Sequence, residues 1–156
     1  MQHQAGVTLI ENLVAIVVVA VGLLGMAGLL TQTLKLSGKA QYQTQAVNTA
    51  QMVSSSAFAL ANNATILSKL DGLTFNNAPI ATMPTGLSVA LTTALKEWAS
   101  YSTSSMPGAT GSLAVISASA GGGTCTALPC ILTVTMAWNG SDHVPQSYVT
   151  SQTIGY

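Results

Sequence analysis

The sequence predicts an α+β protein, in which one long amino-terminal helix, apolar over its first half, packs against a small antiparallel sheet head. Three observations predict it. Every residue from Leu13 to Leu30 is apolar or Gly, a run of about 18 against the roughly 20 helical residues that a bilayer core requires. Past Leu30 the apolar residues Leu34, Ala46, Ala50, Val53, Ala57 and Leu60 recur at helical spacings among Gln, Asn, Ser and Thr, which is one apolar face on a polar helix. Near the carboxyl terminus Leu132, Val134, Met136 and Trp138 alternate with Thr133, Thr135 and Ala137, the period of a half-buried strand.

Taken in order, residues 1–6 form a short polar lead and residues 7–30 a membrane-length helix. Residues 31–62 continue that helix in amphipathic form, and residues 63–156 form an α+β head. No Pro interrupts the helix, Ser37-Gly38 is only a soft spot, and Asn62-Asn63 is a plausible stop. At 1.5 Å per residue a helix from Val7 to about Asn62 measures on the order of 80 Å. In the head, Asp71-Gly72, Asn76-Asn77, Pro79, Pro84 and Gly86 mark a loop-rich link. A second helix is expected from Ser88 to Tyr101, with Leu91, Leu95 and Trp98 on one face. Strands are expected over Leu113–Ser119, Ile131–Trp138 and, more weakly, Gln146–Ile154, the first two joined by "SAGGGTCTALPC".

Composition limits what such a chain does. Its 156 residues hold four Lys, no Arg and four acidic residues, with no net charge. Lys35, Lys39, Lys69 and Lys96 are too few and too scattered for a nucleic-acid footprint. Low charge suits a subunit that lives inside an assembly, because net charge opposes association. The head's titratable residues, Asp71, Glu97, Asp142, His143, Lys69 and Lys96, form no recognisable catalytic set. Asp142-His143, next to Ser141, reads as a surface turn, and "GATG" and "AGGG" lack the strand, helix and Lys of a phosphate loop. The chain is thus expected to be no enzyme and to need no metal or other cofactor.

Cys125 and Cys130 close the loop "CTALPC". A disulfide there implies an oxidising compartment; two free thiols are the other reading. Zinc is poorly served, because His143 stands alone with no second Cys pair.

The acidic residue Glu11 stands at the head of the apolar helix, where a charge costs free energy unless it reaches the interface or finds a partner. Gly6, Val7, Thr8, Leu9, Ile10 and Glu11, followed by that helix, resemble the class III signal of type IV pilins and pseudopilins. The resemblance implies a type IV pilin-like fold with residues 1–6 as a prepilin leader. It makes Gly6 the residue after which a prepilin peptidase cuts, Val7 the new and methylated amino terminus, and Glu11 the assembly carboxylate. Val7 stands where the family usually has Phe, and Asn12 adds a polar group beside the acid.

"VAIVVVAVGLLGMAGLL", "SMPGATGSLAVI", the cysteine pair and the strand "LTVTMAW" are similar to minor pilins of the pilus-modification group. That similarity implies a minor pilin in a priming or tip complex, with other minor pilins, the major pilin, the prepilin peptidase and the inner membrane as partners. A type II secretion minor pseudopilin is the nearest alternative. A secreted or anchored adhesin-like binding domain is another, released by ordinary signal cleavage after about Ala27, where Gly25-Met26-Ala27 offers small residues.

The implied location is the inner membrane, single-pass with a periplasmic head, and then the pilus at the cell surface. Lys35 and Lys39 follow the apolar run, and by the positive-inside rule alone they would hold the head in the cytoplasm. The cysteine pair and the whole motif favour the periplasm. Gly22, Gly25 and Gly28 form no GxxxG pair and either loosen the helix in a filament or reflect the frequency of Gly in membrane helices.

Overall fold

The computed structural model describes residues 9–61, 63–119 and 121–155. Its contacts divide the chain into a unit ending at Ser37 and a compact unit from Gly38 onward.

Helix α1, Leu9–Leu60, has 52 residues and no break at Gly22, Gly25, Gly28 or Gly38. Val7, Thr8 and Asn62, the expected ends, lie outside the described residues. In the first unit every described side chain from Leu9 to Ser37 is exposed, and the helix there is apolar and long enough to cross a membrane. Leu34, expected on the buried face, is exposed as well, because the head's packing begins beyond it.

In the second unit the expected stripe is real and narrower in chemistry than the spacing suggested. Ala46, Ala50, Val53 and Ala57 are buried, and Thr49 and Ser54 join them. The Thr49 hydroxyl donates to the Gln45 and Ala46 carbonyls (2.9 and 3.1 Å), and the Ser54 hydroxyl donates to Gln152 Oε1 (2.9 Å). Small and internally satisfied side chains let the helix sit close to the sheet without orphaned polar atoms at these two positions.

After α1 the chain makes a short helix α2, Ala64–Ser68, that the sequence reading did not anticipate. Asn63, read as part of a helix stop, instead caps it, its side chain accepting from Ile66 N (2.8 Å). Strand β1, Thr74–Asn76, was likewise hidden in the loop-rich link. Helix α3, Val89–Ser105, starts at the expected place with Ser88 as its cap and runs one turn past Tyr101. Three hydroxyls of the extension fold back onto the helix, Thr103 onto Ala99 O (2.9 Å) and Ser104 and Ser105 onto Tyr101 O (3.0 and 2.6 Å), while the buried Ser102 hydroxyl has no partner among the described residues. Buried Ser102 and Met106 anchor that last turn.

Strands β2, Thr110–Ser117, β3, Cys130–Asn139, and β4, Pro145–Ile154, complete an antiparallel sheet in the order β1-β2-β3-β4. The strand expected over Leu113–Ser119 is β2, which starts three residues earlier, at Thr110, and ends two earlier, at Ser117. β4 is no weak strand: all ten residues pair with β3 in continuous register. Its polar sequence masked it because only one flank, at Ile154, is fully buried.

One apolar core joins α1, α2, α3 and one face of the sheet. At its centre Trp98 is fully buried and meets Phe75 edge to face, with ring centroids 4.8 Å apart. Gly111 is required beneath them: a Cβ there would run into the Phe75 ring and lie 2.7 Å from Trp98 Cζ2. The other sheet face carries Ser112, Thr133, Thr135, Ser147 and Ser151, exposed or half-buried, with Thr133 and Ser151 hydrogen-bonded across the strands (2.9 Å).

Candidate functional site

Glu11 lies in the first turn of α1. A carboxylate there interacts favourably with the unpaired N–H groups and positive end of the helix dipole. Its side chain is exposed between Leu9, Ile10 and Leu13, which are 88%, 71% and 59% exposed. Among the described residues it has no ion-pair partner. A charge in such apolar company is therefore available to a group outside this chain, or to the interface. Gly6 and Val7 lie outside the described residues. Asn12 follows on the same exposed turn.

The cysteines belong to the second unit. Cys125 and Cys130 are disulfide-bonded, with Cα atoms 5.8 Å apart, and both are buried. The bond sits where the β2–β3 connection enters β3. Thr124 bridges back to Ile116, Ser117 N donates to Gly123 O (2.7 Å), and the Leu128–Pro129 peptide is cis. The long connection is thereby tied to the sheet at both ends. Closing so short a loop contributes about 2 kcal/mol on the chain-entropy account. The double variant Cys125→Ser, Cys130→Ser is expected to lose about that much, measured by denaturant unfolding with and without reductant; equal midpoints would show that the loop needs no bond.

Three further titratable residues of the head, Asp71, Lys69 and Asp142, hold structural hydrogen bonds. Asp71 Oδ1 accepts from Val115 N (2.8 Å), extending the edge of β2 where β1 ends, and Lys69 Nζ donates to Thr85 O (2.8 Å). Asp142 accepts from Val144 N (3.2 Å) in the β3–β4 turn, where His143 takes a left-handed conformation (φ 60°). Glu97 borders a shallow groove with Met52 and Tyr101 between α1 and α3. Among the described residues no three of His, Cys, Asp and Glu converge as a metal site would require. The role of Asp71 was missed in the sequence, where Asp-Gly signals only a turn.

Residues 1–27 match the family model of the prokaryotic N-terminal methylation motif. No curated protein and no solved structure matches the chain. The motif, joined to a long exposed apolar helix and an α+β head, supports the type IV pilin-like class and, with it, processing by a prepilin peptidase.

Proposed function

We propose that the chain is a minor pilin, a structural subunit that helps to prime or cap a type IV pilus. Within the class, its apolar helix, Gln-rich continuation and late strand most resemble the pilus modification protein PilV. The methylation motif over residues 1–27 is the observation that carries the reading. In this account a prepilin peptidase cuts after Gly6 and the Val7 amine is methylated. The chain waits in the inner membrane with its head in the periplasm, where the disulfide can form. Glu11 then pairs with the freed amine of a neighbouring subunit. Opposite charges offset their desolvation only at close range and good geometry, so the pair sets axial register during insertion. The head supplies contacts to other minor pilins and the major pilin, and no step calls for a cofactor.

The mature amino terminus tests the reading. Mass spectrometry of the protein from its host is expected to show a methylated Val7 start, and from a strain lacking the prepilin peptidase an uncut chain. A start near Gly28 in both strains would point instead to an ordinary secreted domain.

A further inference from the structure

The two edges of the sheet are finished differently. On the β1 side each outward N–H in the second half of β2 has an acceptor: Leu113 donates to Leu73 O (2.9 Å), Val115 to Asp71 Oδ1 (2.8 Å) and Ser117 to Gly123 O (2.7 Å). β2 is thereby covered well beyond β1, which is only three residues long.

The β4 edge is open. Asn139 N donates to Pro107 O on the β2 side, whereas Gly140 N donates to Val144 O on the β4 side (both 2.9 Å). Backbone groups in an antiparallel ladder alternate between neighbours. The even-numbered residues of β3 therefore bond β4, with Gln146, Tyr148, Thr150 and Gln152 as their partners. Ser147, Val149, Ser151 and Thr153 direct their N–H and C=O groups away from the sheet. Among the described residues none of these groups has a partner there; only the Pro145 carbonyl is occupied, by Gln146 Nε2 (3.1 Å). Native edges are normally blunted by charge, bulges or brevity. β4 has ten residues, an unbroken register and no Lys, Arg, Asp or Glu; a single Pro stands at its start.

We propose that the β4 edge is a strand-pairing site, and that its occupant in the assembled pilus is an extended, uncharged segment of a different subunit. Backbone hydrogen bonds select an extended chain, and an edge without charge selects a neutral one. A second copy fits poorly. Gly38 of α1 lies against Ser141, and Ser54 further along α1 bonds Gln152, so α1 and β4 run in the same sense. Antiparallel pairing of β4 with itself would run the head segments of two α1 helices, from Gly38 onward, in opposite senses, an arrangement that the Val149→Cys variant below detects.

The inference rests on the minor-pilin reading, and the test separates the two. Val149→Pro removes only an outward N–H from an exposed edge position. The purified full chain is expected to unfold at the wild-type temperature, while the amount recovered in sheared pili falls at least tenfold. Val149→Lys with Ser151→Lys, which adds edge charges on the exposed face, is expected to do the same and guards against a folding defect in the Pro variant. Wild-type recovery of either stable variant overturns the proposal. So does an intermolecular disulfide between copies of Val149→Cys, which would make the occupant a second copy. If wild-type protein is absent from pili, or if Glu11→Ala is incorporated normally, the underlying reading fails and takes this inference with it.

Discussion

Replacing Glu11 by Ala is expected to leave the chain in the membrane fraction and to remove it from pili. The apolar run that follows is untouched, so insertion is unaffected and improves slightly as a charge disappears. The loss falls on assembly. Removing one member of a charge pair held in low dielectric costs about 3–5 kcal/mol, and each 1.4 kcal/mol is roughly tenfold in an equilibrium. A fall of two or more powers of ten in the pilus-to-membrane ratio follows, read by immunoblot of sheared pili and residual membranes. Glu11→Gln keeps the shape and loses the charge, and should fail equally. If the Gln variant assembles as wild type, charge pairing is not what this residue supplies.

The second large effect is on the head. Trp98→Ala empties the centre of the core, where the ring is fully buried and stacks edgewise on Phe75. Truncating a buried Trp costs about 3–5 kcal/mol, and here the loss includes the aromatic pair. For a domain of this size that corresponds to a fall in Tm of roughly 10–20 °C. Gly111→Ala tests the same spot from the other side, by crowding instead of emptying, at about 1–3 kcal/mol. Thermal unfolding followed by circular dichroism above 250 nm reads both. A Trp98→Ala shift of only a few degrees would mean that Met106, Leu95 and their neighbours close over the space.

What the sequence disclosed and what it hid follow from where the free energy of each element comes from. The apolar half of α1 was legible because a run of about 18 apolar residues has few alternatives. β3 was legible because burial on one face writes strict alternation into Leu132, Val134, Met136 and Trp138. β4 was nearly lost because an edge strand with polar faces derives its order from the β3 ladder, which leaves no hydrophobic period. β1 and α2 were hidden for another reason: three and five residues are too short for any period, and their existence depends on Asn63, Asp71 and the β2 backbone. At the amino terminus the motif was legible because its small, apolar and acidic residues, Gly6, Val7 and Glu11, stand in fixed order ahead of the apolar run. The open edge of β4 could not, because it is a property of backbone direction that no side chain announces.

The outer sheet face, with its hydroxyl rows and no formal charge, has a practical consequence. Contacts made through Ser112, Thr133, Thr135 and Ser151 would rest on short-range hydrogen bonds and fit, which mobile ions do not screen over a Debye length. On the minor-pilin reading, contacts made through this face are expected to withstand brine and to yield to urea.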